Sequence, residues 1–263
     1  MRNLVEMPTI QNVVPGGKCV LNLPIGMTYD ELIFVCTNVT AAQMLNYKWK
    51  VGSKTIIDVS SFQVMEDLNA YYKRPQQAGH FTHWFYRPEV KEDIRALTSF
   101  GTIGVSSSSI EFDLAAGVVS PAIKVFAVQR NPQVMGLVTK LREYPLSFAT
   151  AGKQQIDNIP RGARISAAHL QKADVSFVEL EINNGTGPAK IVEASKSLLE
   201  AYQKQYDRAP VTAKYTHIDL NLTGDIAGPM PTAQLVDMRF KPTLDTSGNL
   251  TVLVEYIDGI DGI

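Results

Sequence analysis

Along most of this chain apolar and polar residues alternate with a period of two. The runs KCVLNLP (18–24), DELIFVC (30–36), HFTHWFYRP (80–88) and SIEFDLA (109–115) carry the pattern in the first half. DVSFVELEIN (174–183), AKYTHIDLNL (213–222), AQLVDMRFKP (233–242) and NLTVLVEYID (249–258) carry it in the second. Alternation places every second side chain on one face, so each run predicts a half-buried β-strand. The turn signals PGG, NNGTGP, AGPMP and DTSGN separate the runs at the spacing of a sandwich or barrel. The pattern therefore predicts a mainly β protein.

Two segments change period. Within KTIIDVSSFQVMEDLNAYYKRP (54–75), Val59, Phe62, Met65, Leu68 and Tyr72 recur every three or four residues. Such spacing makes one apolar stripe on a helix. Ser60 with Gln63 offers a capping box at its start, and Pro75 follows its end. In KIVEASKSLLEAYQKQYDRAP (190–210) the stripe is Ile191, Ala194, Leu198, Tyr202 and Tyr206, the box is Ser197 with Glu200, and Pro210 follows. Helices are thus predicted over about 59–73 and 191–207.

The two segments align. At a spacing of 135 residues Ile56 meets Ile191, Asp58 meets Glu193, Ser60 meets Ser195, Lys73 meets Arg208 and Pro75 meets Pro210. At 134, Met65 meets Leu199, Leu68 meets Tyr202, Tyr72 meets Tyr206, and FTH (81–83) meets YTH (215–217). The same helix, proline and strand recurring at half the chain length imply a tandem duplication. The domains are predicted at 1–130 and 131–263, with the seam near VQRNPQVMG (128–136), where Asn131-Pro132 interrupts a strand-like run.

Composition narrows the function. The 263 residues carry 25 basic and 26 acidic side chains, so no net field steers a polyanion and direct nucleic-acid binding is not expected. The start MRNLVEMPTIQN lacks the apolar core of a secretory signal, and no apolar run reaches membrane-spanning length. Synthesis in a reducing cytosol is expected, with Cys19 and Cys36 as buried thiols outside any ligand motif.

Candidate chemistry is sparse. LDTSGN (244–249) resembles the carboxylate loop of aspartic proteases, but a serine separates Thr246 from Gly248, and no partner loop exists. Asp, Ser, Gly and Asn suit a hairpin turn there. His80, His83 and His217 could be imagined as metal ligands, yet 80 and 83 face opposite sides of a strand, and 83 and 217 fall in different repeats. NNGTGPAK (183–190) lacks the phosphate-loop spacing, and SSSS (106–109) lacks a nucleophile elbow. Glu255, Asp258 and Asp261 in the C-terminal EYIDGIDGI are the metal candidates, as oxygen ligands for a structural Ca2+.

The stretch VPGGKCVLNLPIGMTYDELIFVCTNVTAAQM (14–44), followed by DLNAYYKR (67–74) and THWFYRPE (82–89), resembles the first barrel of corticovirus-like major capsid proteins. These belong with the double jelly-roll coats of the tectivirus and adenovirus lineage. The resemblance implies two tandem eight-stranded jelly-roll β-barrels, each with one inserted α-helix. It implies no catalytic residues and no required cofactor. It further implies a homotrimer of near-hexagonal outline that tiles an icosahedral virion shell, with neighbouring trimers, other virion proteins and an internal membrane at the barrel base as partners. Two other classes stay open on the residues alone: a two-domain β-sandwich carbohydrate-binding module, and a β-rich hydrolase built around Asp245.

Overall fold

The structure, a computed structural model, describes residues 2–91 and 95–260. It divides into two compact units, Met1–Leu141 and Arg142–Ile263. The first contains β1 (Asn3–Glu6), β2 (Lys18–Asn22), β3 (Thr28–Thr37), β4 (Met44–Val51), β5 (Lys54–Ser61), α1 (Phe62–Tyr71), β6 (His80–Trp84), β7 (Phe100–Gly101), β8 (Ser108–Leu114) and β9 (Ala122–Arg130). Then come β10 (Val138–Phe148), β11 (Gly152–Lys153), β12 (Ile165–Gln171), β13 (Val175–Asn183), β14 (Pro188–Ser195), α2 (Lys196–Gln205), β15 (Thr216–Asp219), β16 (Asp237–Leu244) and β17 (Gly248–Asp258).

The strand orders match between the units. In the first, β1-β9-β3-β6 form one layer, with β7 added to β3, and β2-β8-β4-β5 form the other. In the second, the corresponding orders are β10-β17-β12-β15 and β11-β16-β13-β14. Every pairing with a recorded register is antiparallel, and each chain half visits the two layers in the same sequence. This is the jelly-roll path, taken twice.

The compact units divide a few residues beyond the 128–136 seam, inside a strand. After β9 ends at Arg130, the connection remains bonded to the first unit: Ile103 N–H donates to the Gln133 carbonyl at 3.0 Å, and Leu137 N–H to the Leu97 carbonyl at 2.9 Å. The division consequently falls after Leu141, inside β10.

Both helices are shorter than their periodicity predicts. The residues 54–61 and 188–195 are strands, β5 and β14, and each strand runs into its helix without a loop. A β-branched, alternating run pairs with the neighbouring strand, and this tertiary pairing overrides the helical period. The expected capping boxes do not form. Ser61 and Ser195 are the N-caps, and the Ser195 hydroxyl accepts from the Leu198 N–H at 3.3 Å.

The helix exits show the duplication at single-residue resolution. Lys73 and Asp207 both take positive φ, 53° and 59°. Behind them, the Arg74 N–H returns to the Asn69 carbonyl at 2.8 Å and the Arg208 N–H to the Gln203 carbonyl at 3.1 Å. These bonds satisfy carbonyls that a helix end otherwise leaves open. Ser61 with Ser195, Tyr72 with Tyr206, Lys73 with Asp207 and Arg74 with Arg208 all lie 134 apart. The 135-residue alignment of Ser60 with Ser195 and Lys73 with Arg208 is therefore corrected by one position.

The cores have diverged. Unit one is aromatic: Trp49 lies edge-on to Phe85 at 4.8 Å and Phe100 at 4.9 Å, and Tyr47 to Phe62 at 4.7 Å. Unit two is chiefly aliphatic, built on residues such as Ile165, Leu170, Val178, Leu180, Val252 and Val254, with Phe240 and Tyr256 among them. A non-glycine residue in the left-handed region costs about 1 to 2 kcal/mol, part of which glycine gives back as unfolded-chain entropy. Lys73→Gly and Asp207→Gly should each raise stability by about 0.5 to 1 kcal/mol, read as a shift of the denaturant midpoint at constant m-value.

Candidate functional site

The positive-φ residue after each helix aims an arginine back into its own unit. Arg74 reaches Glu89 at 2.8 Å, and Arg87 reaches the same carboxylate at 2.7 Å. The two guanidinium groups lie 4.9 and 5.0 Å from the Tyr72 ring centroid. Burial opposes ionisation of Glu89, but the two arginines outweigh it and hold the carboxyl below its usual range. In unit two, Arg208 binds Asp219 at 3.0 Å and donates to the carbonyls of Tyr206, Asn221 and Leu222. Arg208 clamps its helix exit to the next strand, and Arg74 clamps its own to the segment just past β6.

Each unit also buries the histidine of its repeated Thr-His pair. His83 lies on β6, with the Tyr47 hydroxyl 2.7 Å from its Nδ1. Burial, then the charge of Arg74, push it down to about 3. Its Nε2 has no partner among the described residues. His217 on β15 has richer company: its Nδ1 is 2.7 Å from Nδ1 of His169, its Nε2 accepts the Val211 N–H at 3.1 Å, and His169 Nε2 is 2.8 Å from Glu255. Burial and then His169 hold His217 well below the ordinary imidazole range.

The residues singled out from sequence are thereby dispersed. His80 bonds the Ala78 carbonyl, away from the buried His83. Of the calcium candidates, Glu255 is buried against His169, whereas Asp258 accepts from the N–H groups of Arg164 and Gly259. Three residues apart on β17, these carboxylates project to opposite faces and do not form a common cation site. Asp261 lies outside the described residues. Among the described residues no group of three or more His, Cys, Asp or Glu could hold a metal. Asp245 lies in a turn that joins β16 to β17, strands of different layers, so the expected hairpin is a crossing between sheets. Cys19 is buried and Cys36 only half-buried; both are free thiols.

His169 escaped the sequence reading. Its strand, ISAAHLQ, is buried on six consecutive positions and has no alternation to reveal it.

The outer surfaces of the helices differ sharply. Eight of the ten residues of α1 are buried, whereas α2 buries only Gln203. Leu198 is 59% exposed, Tyr202 47% and Ile191 46%. With Leu199, Tyr206 and Leu222 they line an open groove of about 530 Å3. The apolar stripe read along 191–206 is thus not buried at this face. Beside it, β14 forms an edge of its layer, and β1, at an edge in unit one, is exposed along its whole length.

Two jelly rolls in one chain, with internal polar groups committed to clamps and an apolar flank left open, define a double jelly-roll coat protein. Residues 4–131 match the family described as viral coat protein P2 N-terminal domain, and residues 138–260 its C-terminal domain. The chain belongs to the viral coat protein P2 family, a family of structural coat proteins and not of enzymes. It is 27% identical to the major capsid protein P2 of Pseudoalteromonas phage PM2, over 98% of this chain and 97% of that one. The crystal structure of the P2 protein from bacteriophage PM2 superposes with a TM-score of 0.93 at 25% identity, covering 100% of both chains. The atomic structure of Sulfolobus turreted icosahedral virus gives 0.72 at 13% identity, covering 97% of this chain and 90% of that one. A PBCV-1 virus capsid chain gives 0.66 at 9%, with coverage of 98% and 93%, and shares the fold.

The buried His83 sets a testable acid dependence. Its folded pKa lies below the unfolded value of about 6.5, so the unfolded chain takes up the proton first as pH falls. The stabilisation is complete above about pH 6.5 and declines by about 1.4 kcal/mol per pH unit down to about 3. Denaturant titrations at pH 7 and pH 5 should show that His83→Phe shrinks the loss between those pH values by about 2 kcal/mol.

Proposed function

We propose that the chain is the major capsid protein of a phage, assembling as a homotrimer of six barrels that tiles an icosahedral shell over an internal lipid membrane. The full-length likeness to the PM2 coat protein supports the role. Two barrels per chain and three chains would give six similar towers, an outline suited to hexagonal packing. A net charge of −1 suits close lateral contact between copies and gives no handle for direct nucleic-acid binding. Among the described residues no helix is long and apolar enough to cross a membrane, so membrane contact would be made from the surface of the barrel base.

The observation that carries self-assembly is the asymmetry of the helices. An apolar face sealed on α1 is left to solvent on α2, where Leu198 and Tyr202 stand half-exposed beside Ile191 of β14. Burying these halves in a neighbour would contribute about 2 to 4 kcal/mol per contact. The interface would be heterologous, an α2 flank of one copy meeting a different surface of the next, which closes a ring when the rotation allows.

Light scattering on the eluting protein should give three chain masses. Leu198→Asp with Tyr202→Asp should convert the trimer to monomer at unchanged monomer stability, because neither side chain belongs to the core cluster of its unit. A wild-type chain that stays monomeric at all concentrations would overturn the trimer reading.

A further inference from the structure

The second unit contains a proton-ordered wire with no counterpart among the described residues of the first. A backbone N–H can only donate, so Nε2 of His217, which faces the Val211 N–H, is an acceptor and carries no proton. Neutral His217 then carries its proton on Nδ1 and donates to Nδ1 of His169. His169 in turn carries its proton on Nε2 and donates to the Glu255 carboxylate. Each bond in the series fixes the next, and only two neutral imidazoles satisfy all three. His169 and Glu255 lie on β12 and β17, in the sheet, whereas Val211 lies in the connection between α2 and β15.

We propose that the Val211–His217–His169–Glu255 series is an acid-operated latch on that connection, residues 206–215. A proton on Nε2 of His217 would set N–H against the Val211 N–H; a proton on Nδ1 of His169 would set N–H against N–H between the rings. Either event breaks one bond of the series and releases the loop from the sheet, whose own ladder of β12 with β17 does not use these atoms.

The surrounding charges are arranged around the latch. From α2, Lys196 donates to the carbonyls of Ala173 and Thr212 and lies 4.0 Å from Glu200, while its charge opposes protonation of His217. Beyond the helix, Arg208 is held by Asp219. On β17, Glu255 favours the proton on His217. The adjacent β10 carries Lys140, Arg142 and Glu143, the last bonded to Gln171 of β12. From the loop itself, the Tyr215 ring stacks on His217 at 5.4 Å. Gln203 of α2 donates to the His217 carbonyl at 2.7 Å, so release of the connection loosens the anchorage of the exposed α2 face.

In unit one the corresponding histidine faces a hydroxyl of β4 and no loop amide. In the unfastened loop the freed His217 binds a proton with an ordinary imidazole pKa, so the latched-to-open ratio falls about tenfold per pH unit below about pH 6.5. Hydrogen exchange of the full-length wild-type protein, corrected for intrinsic rates, should show protection of residues 206–215 falling by about 100-fold from pH 6.5 to 4.5. The amides of β12 and β17 should hold their protection over the same range. His217→Gln keeps an acceptor for the Val211 N–H but cannot titrate there, and it should flatten the dependence. Imidazole nitrogen spectra of the wild type, independent of any variant, should show the proton on Nδ1 of His217 and on Nε2 of His169. PH-independent protection of 206–215, simultaneous loss throughout β12 and β17, or the opposite tautomers would each overturn the latch. None of these readouts depends on trimer formation.

Discussion

The structure depends on how the chain leaves one sheet of a jelly roll and enters the other. In each unit a strand runs unbroken into a ten-residue helix, and the helix must stop and turn so that the next strand joins the opposite layer. The stop is a single residue with positive φ, followed by an arginine whose N–H closes the helix and whose guanidinium grips the following segment. A buried guanidinium is stabilising only while paired, so the carboxylates Glu89 and Asp219 are structurally coupled to the turns that deliver Arg74 and Arg208. Backbone geometry and buried charge thus fix the same corner.

This corner outlasted the divergence of the two halves. Aromatic packing around Trp49 in one unit and aliphatic packing around Phe240 in the other fill equivalent layers with different side chains. Cores tolerate such exchange when volume and patterning are kept. A helix exit tolerates less, because a shift of one residue would move the arginine off its carboxylate. The 134-residue correspondence is accordingly sharpest at the caps, where geometry constrains it, and weakest along the solvent faces of the helices.

The legible part of the sequence was the part with a two-fold or helical period. Strands such as SIEFDLA bury one face and expose the other, and their alternation revealed them. ISAAHLQ is buried throughout and gave no such signal, so His169, and with it the histidine wire, went unseen. The residues 54–61 misled for another reason: a strand feeding directly into a helix lets apolar positions of the two periods merge into one apparent stripe. His217 was read correctly as a repeat counterpart of His83, yet its partners come from β12 and β17, strands distant in sequence. Spacing within one segment cannot report a site assembled across three strands.

The difference between α1 and α2 follows from what a coat subunit must do with duplicated parts. Identical barrels would bury identical flanks, and a chain whose every flank is sealed has nothing apolar to offer a neighbour. Sealing α1 while leaving Leu198 and Tyr202 of α2 half-exposed, beside Ile191 of β14, gives the chain a direction, since one flank is complete and the other is not. A monomeric protein gains nothing from such a patch and incurs an aggregation risk. For a protein of a viral coat family, buried against a neighbouring copy as proposed, the same patch would convert a tandem duplication into an oriented building unit.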